Sequence, residues 1–209
     1  MIQSRQLRFA HNAQTQFDFP DLRCEAGETL LITGASGTGK TTLLHLLGGL
    51  LSPGSGHIEI ENTDLSKLSG RALDRFRGRH IGIVFQQAHF VASHSVLDNL
   101  VLAGWLSKGQ KDMAKAKSLL ERLGILEHAA KKTTQLSIGQ QQRAAIARAL
   151  MGDPVLLLAD EPTSSLDDQN ARLVADLLRE QAQQARAALL VVTHDQRLKQ
   201  IFHTQIQLI

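Results

Sequence analysis

Residues 34–41 read Gly34-Ala35-Ser36-Gly37-Thr38-Gly39-Lys40-Thr41, and this stretch decides how the chain folds. It matches G-x-x-x-x-G-K-[ST]. The apolar run Thr29–Thr33 precedes it, and Leu43, Leu44, Leu46, Leu47 and Leu50 follow at helical spacing on one face. The order is strand, glycine-rich loop, helix. Glycines let the loop turn tightly, so that successive backbone N–H groups point inward at a phosphate chain. The helix adds its positive N-terminal end. Residues Gly34, Ala35, Ser36, Gly37, Thr38 and Gly39 are therefore expected to cradle phosphates, with Lys40 reaching the β- and γ-phosphates. The Thr41 hydroxyl is expected on Mg²⁺, and Thr42 makes a further phosphate contact. The loop alone leaves kinases, GTPases and motor ATPases open.

Working outward, Leu7–His11 and Phe17–Cys24 alternate as short, half-exposed strands. Another strand is expected at His57–Ile60 and a buried one at Ile81–Phe85. From about Val96 to Leu150 the chain reads as almost wholly helical. Its stripes are Leu97, Leu100, Val101 and Trp105, then Met113, Ala116, Leu119, Leu120 and Leu123, then Gln140–Met151. Strands return at 155–159 and 187–193, either side of an amphipathic helix over Asn170–Ala185, and Thr204–Ile209 reads as a last edge strand. An α/β lobe is thus interrupted by a helical insertion and resumes. Arg71, Arg75, Arg77 and Arg79 read as a solvated helix face.

Composition bounds the function classes. The 209 residues carry 23 Lys+Arg against 20 Asp+Glu, a formal net charge of +3, too small to argue for nucleic acid. Seven Phe, one Trp and no Tyr argue against a base-stacking surface. No apolar run approaches the ~18 residues of a membrane helix, and the N-terminus lacks the apolar stretch of a signal peptide. One cysteine, Cys24, cannot form an internal disulfide, so the cytoplasm is the expected compartment.

A second chemical cluster lies at VLLLADEP, where Asp160 and Glu161 end an apolar run that reads as a buried parallel strand. Ligands collect at the carboxyl edge of an open α/β sheet. Asp160 is expected to hold Mg²⁺. Glu161, one residue further, is positioned to polarise an attacking water, which suits hydrolysis better than transfer to a bound substrate. His194 ends the strand ALLVVTH and is expected at the same sheet edge, against the γ-phosphate. A third cluster, Leu136-Ser137-Ile138-Gly139-Gln140, opens a helix with a serine and a glycine, another ready anion site. One phosphate chain needs no second cradle from a distant lobe of its own subunit, so a site completed by a second copy is the economical reading.

With these residues the chain resembles the ATP-binding subunits of ABC transporters, over essentially its whole length and in the right order. GASGTGKT is similar to the Walker A motif, VLLLADEP to Walker B, and LSIGQ to the family signature LSGGQ. Gln86, after Ile83-Val84-Phe85, resembles the Q-loop glutamine; Ser164-Ser165-Leu166-Asp167 resembles the D-loop; His194 resembles the switch histidine. The resemblance implies an α/β fold: a P-loop NTPase (RecA-like) core with an antiparallel β subdomain and an inserted α-helical subdomain. It implies one nucleotide-binding domain over 1–209, the core lobe about 1–86 and 152–209 and the helical part about 87–151. It implies ATP and Mg²⁺ as cofactors and two subunits sandwiching two ATP molecules head to tail. Ser137, Ile138, Gly139 and Gln140 of one copy would then face the nucleotide held by Lys40 of the other. By the same resemblance Gln86 joins Thr41 and Asp160 at the metal, Glu161 is the general base, and Asp167 communicates across the dimer. The implied partners are a polytopic permease and a second ATPase subunit, with no nucleic acid, and the implied place is the cytoplasmic face of the inner membrane.

Two positions depart from the family pattern. Ile138 stands where a glycine is usual and cannot take φ > 0 cheaply; ordinary helical geometry there would make it harmless. His11 stands where an aromatic stacks on adenine, with Phe9 nearby. The stretches at 45–50, 84–87 and 158–167 look most like the subgroup that powers lipoprotein release, macrolide export and cell-division complexes. The alternatives are a soluble ABC ATPase acting on ribosomes or DNA, and a subunit that binds ATP with little hydrolysis. Only one ATPase unit is present, and the stretch from Lys40 to Ser137 is too short for a long coiled coil. Lys40, Asp160, Glu161 and His194 are all present for hydrolysis.

Overall fold

The computed structural model describes residues 1–12 and 15–209. In chain order its elements are β1 (Ile2–Ala10), β2 (Gln16–Asp18), β3 (Leu22–Cys24), β4 (Thr29–Thr33), α1 (Lys40–Leu47), β5 (Ser55–Ile60), β6 (Thr63–Asp64) and α2 (Gly70–His80). There follow β7 (Ile81–Val84), α3 (Val96–Lys108), α4 (Met113–Arg122), α5 (Ile138–Leu150), β8 (Leu156–Asp160), α6 (Asp168–Gln184), β9 (Ala188–Thr193) and β10 (Gln205–Gln207).

Five strands form a parallel sheet in the order β10-β4-β9-β8-β7. Successive side chains of a strand point to opposite faces, and both faces of this sheet are covered at its inner strands β4, β9 and β8, which therefore carry unbroken apolar runs, whereas the edge strand β10 (Gln205–Gln207) alternates. Leu30 and Ile32, Leu156 and Leu158, and Leu190 and Val192 join α1 and the second sheet in one apolar cluster. Leu31, Leu157 and Ala159, and Leu189 and Val191 join α3, α4, α5 and α6 in the other. α1 contributes Leu43, Leu44, Leu46 and Leu47, each fully buried. Burying a leucine is worth about 1.5–3 kcal/mol, so the helix behind the glycine-rich loop is anchored by its own apolar face.

The second sheet is antiparallel and built on β1, which pairs with β2 and β3 on one side and with β5 on the other. The β1–β5 register shifts between Arg5 and Arg8. Gly56 faces that irregularity, and a Cβ there would sit 2.4 Å from the Gln6 carbonyl oxygen. α3, α4 and α5 pack on one another beside the parallel sheet. No helix among the described residues is long and apolar enough to cross a membrane.

Some boundaries differ from the sequence reading. The stretch Phe17–Cys24 is two strands because Pro20 has no N–H for the ladder and restricts its neighbour. The first strand starts at Ile2, earlier than Leu7. The insertion is three helices, with two short 3₁₀ turns at Leu126–His128 and Thr133–Gln135 between α4 and α5. Trp105 and Met113, placed in apolar stripes by their spacing, are 47% and 44% exposed. Of the arginine row of α2, Arg71, Arg75 and Arg79 are exposed as expected, whereas Arg77 is half-buried and donates to the Gly49 carbonyl at 3.0 Å.

Candidate active site

The glycine-rich loop joins β4 to α1. Gly37 and Gly39 both adopt left-handed backbone geometry, with φ of 87° and 86°. Gly39 is the N-cap of α1, and a Cβ on it would lie 2.7 Å from the Phe17 ring. A Cβ on Gly34 would lie 2.5 Å from the Thr38 hydroxyl, which itself donates to the Ala35 carbonyl at 3.0 Å. The loop is therefore closed by residues that only glycine can occupy. Lys40 is buried and its Nζ donates to the carbonyls of Gly34 at 3.0 Å and Ala35 at 2.9 Å. Its ammonium sits beneath the loop at the positive end of α1.

Every residue of β8 is buried, and Asp160 ends it. The Thr41 hydroxyl donates to Asp160 Oδ1 at 3.2 Å. Burial pushes the Asp160 carboxyl above its usual range; the Thr41 hydrogen bond opposes this, and the Glu161 charge reinforces it. Glu161 follows in the left-handed region at φ 45°, a conformation that costs a non-glycine residue free energy and that tends to occur where function requires it. Its N–H donates to the Val192 carbonyl at 2.9 Å, fastening the turn to β9.

The Glu161 carboxylate is 7% exposed by residue and fully engaged. The Thr193 hydroxyl donates to Oε2 at 2.6 Å and the His194 backbone N–H donates to Oε1 at 3.1 Å. His194 Nδ1 lies 2.7 Å from Oε1. A carboxylate oxygen accepts, so Nδ1 carries the proton and Nε2 remains the free-facing ring nitrogen. Gln86, just beyond β7, donates from Nε2 to the Ser164 hydroxyl at 3.4 Å, and that hydroxyl donates to the Glu161 carbonyl at 3.1 Å.

A cavity of about 490 Å³ opens over these groups, lined by Phe17, Ser36, Gly37, Gly39, Lys40, Thr41, Thr42, Gln86, Glu161 and His194. The structure thus brings the loop, the Q-loop-like glutamine and the two strand-end residues to one space. Asp160 stands under its floor, hydrogen-bonded to Thr41. His11 does not line the cavity; its Nε2 is 3.5 Å from the Thr42 hydroxyl and its ring meets Phe9 edge-on at 4.8 Å. Phe17 is the wall residue that sequence reading missed. Its ring stacks on Phe19 at 5.8 Å, and the i, i+2 spacing of Phe17-Asp18-Phe19 was the available signal.

The remaining residues lie elsewhere. Ser137 is the N-cap of α5, and its Oγ accepts from the Gln140 N–H at 3.3 Å, while the Ser137 N–H donates to Gln140 Oε1 at 3.0 Å. Ile138 is the first helical residue, not in the left-handed region, and 59% exposed, so its bulk meets no backbone constraint. Asp167 caps α6, accepting from the Asn170 N–H at 3.0 Å, and its carboxyl is held below the usual range by that bond and by the Asn170 amide. None of Ser137, Ile138, Gly139, Gln140 and Asp167 lines the cavity.

The chain is similar to known proteins over most of its length. The family model described as ABC transporter matches residues 18–164. The chain is 43% identical over 181 residues to a lipoprotein-releasing system ATP-binding protein LolD 2 of Chlorobium chlorochromatii, covering 83% of this chain and 75% of that one. It is 40% identical over 190 residues to LolD of Shewanella denitrificans, covering 90% and 82%. It is also similar to the dimeric structure of an ATP-binding cassette in a post-hydrolysis state bound to ADP and Pi. There the TM-score is 0.89 and the identity 30%, covering 100% of this chain and 94% of the other.

Proposed function

The chain belongs to the ABC transporter family and is its ATP-hydrolysing, ATP-binding subunit; from that premise we propose that it powers a lipoprotein-releasing membrane complex. Its similarity to lipoprotein-releasing system ATP-binding proteins supports that cargo class. The observation that carries the catalytic reading is the Glu161 carboxylate, held at the end of β8 by His194 and Thr193 and facing the same cavity as Lys40 and Gln86.

In this reading the N–H groups from Ser36 to Thr42 and the start of α1 hold the phosphate chain. Lys40 exchanges its two carbonyl partners for phosphate oxygens. Glu161 accepts a proton from the attacking water, and His194, donating from Nδ1 to Glu161, donates an Nε2–H to the γ-phosphate when its ring carries both protons. The side chains fit a hard divalent cation. Asp160 is a buried carboxylate that accepts from the Thr41 hydroxyl, and Thr41, Asp160 and Gln86 supply oxygen donors. Mg²⁺ bound there would neutralise charge building on the phosphate oxygens. Phe17 supports a flat apolar wall for the nucleotide, with His11 beside it.

The signature residues Ser137, Ile138, Gly139 and Gln140 would complete the site of a second copy, with Asp167 at the contact. The dimeric arrangement of the similar cassette supports this. The domain would divide into a core of about 1–86 and 152–209 and a helical part of about 87–151. A polytopic permease would be the partner, with the chain seated on the cytoplasmic face of the inner membrane.

Glu161→Gln is the test. Loss of a general base lowers hydrolysis about 10²–10⁴-fold. The variant should also accumulate an ATP-dependent dimer, and its affinity capture from solubilised membranes should recover a polytopic membrane protein. Hydrolysis kept at the wild-type rate would overturn the assigned base, and recovery of ribosomal or DNA-associated proteins alone would overturn the transport reading.

A further inference from the structure

Three residues beyond His194, the Arg197 guanidinium makes a set of bonds that the reaction above does not use. Nε donates to both oxygens of Asp195, at 2.9 and 3.0 Å, and Nη2 to Asp195 Oδ2 at 2.7 Å. Nη1 donates to Asp168 Oδ1 at 2.6 Å and to the Leu166 carbonyl at 3.3 Å, and Nη2 to the Thr163 carbonyl at 3.3 Å. One planar fork therefore ties the segment after β9 to the segment 163–168 that follows Glu161.

The contacts continue in both directions. Asp195 Oδ2 accepts from the Thr163 hydroxyl at 2.7 Å, and the Asp195 N–H donates to Thr193 Oγ1 at 3.0 Å, the hydroxyl that bonds Glu161. On the other side, a Cβ built on Gly139 would meet the Leu166 side chain at 3.9 Å and Asn170 Oδ1 at 3.6 Å. Hydrogen bonds therefore run from His194 and Glu161, through Asp195 and Arg197, to the Leu166 carbonyl, and the Leu166 side chain lies next to Gly139 at the start of α5. The Asp195 side chain is only 9% exposed and that of Arg197 37%, so this is a sheltered pair rather than a loose surface one.

We propose that Arg197 is a positioning residue that couples the His194 end of the cavity to the surface bearing Ser137 and Gly139, so that two nucleotide sites in a two-copy assembly respond together. The inference rests on the two-copy reading above. A movement of His194 toward a phosphate would pull the 193–197 segment, and the fork would carry that displacement to Leu166 and to the neighbouring helix start. Lysine offers one ammonium in place of a planar fork and cannot make this set of bonds at once.

The experiment is ATP hydrolysis against ATP concentration for the full chain and for Arg197→Ala and Arg197→Lys, with thermal melts of each. Two coupled sites bring the Hill coefficient of the wild type toward about 2. Both variants should lower it to about 1 while binding a fluorescent ATP analogue with wild-type affinity as single chains. The Arg197→Lys chain keeps the charge and guards against misfolding of the alanine variant. A wild-type-like Hill coefficient in both variants, or a coefficient of 1 in a wild type that dimerises, would overturn the coupling role. Failure of Glu161→Gln to dimerise with ATP overturns the two-copy reading itself and the inference with it.

Discussion

Asp195 shows how a residue outside the cavity serves it. Burial by itself would raise its carboxyl, but hydrogen bonds from Arg197 and Thr163 outweigh burial and bring it down to about 2. A carboxylate whose folded pKa lies below its unfolded value of about 3.9 stabilises the fold above that value, and the contribution fades as pH falls toward about 2. Asp195→Asn should therefore melt below the wild type at pH 6, with the gap closing as melts are taken from pH 4 down to pH 2. A gap independent of pH would mean that the ion pair adds nothing. At this scale the sequence spoke clearly where a residue type is chemically indispensable. Lys40, Glu161, Gln86 and His194 meet in one space as their motifs implied. It was silent on Arg197, because an arginine in a polar turn carries no signal until the fold sets its neighbours, and for Phe17 the i, i+2 pair with Phe19 marks a strand face without saying that the face walls a cavity.

Elements were legible in proportion to their periodicity. β4, β8 and β9 were found because both faces of the parallel sheet are covered and leave unbroken apolar runs. β6 was invisible, being two residues paired to β5 alone. The break between β2 and β3 was carried by Pro20, and Trp105 misled because helical spacing reports a face without reporting what covers it. Close approach between elements is likewise unreadable from pattern. Gly82 in β7 looks replaceable, yet a Cβ there would sit 2.6 Å from the Ala149 carbonyl of α5. Neither partner is a flexible side-chain tip, so Gly82→Ala must move α5, the helix that Ser137 caps. Such overpacking costs about 1–3 kcal/mol. Urea unfolding of the variant should show that loss, with a weakened ATP-dependent dimer in the Glu161→Gln background. Unchanged stability would show that β7 and α5 separate freely.

The whole molecule splits its chemistry between two faces. Lys40, Gln86, Glu161 and His194 share the cavity, whereas Ser137 and Gly139 lie outside it, Gly139 beside Leu166 and Asn170. A two-fold assembly makes each contact twice, so a site using both faces draws Lys40 from one copy and Ser137 from the other. Consider one chain carrying Lys40→Ala and another carrying Ser137→Arg. Each alone forms dimers in which both sites are damaged. Mixed, half the dimers pair one of each, and in those dimers one site joins an intact Lys40 to an intact Ser137 while the other collects both lesions. Equal mixing should therefore recover up to about a quarter of wild-type sites, by the counting that two-fold pairing imposes. Phosphate release from the mixture, set against the two variants measured singly, reads this directly. If the mixture yields no more than the average of the two, each chain completes its own site and the separation of the two faces has no catalytic meaning. The same mixture tests the coupling assigned to Arg197. Its surviving sites work in dimers whose other site is dead, so their hydrolysis should follow ATP with a Hill coefficient of about 1 even with Arg197 in place.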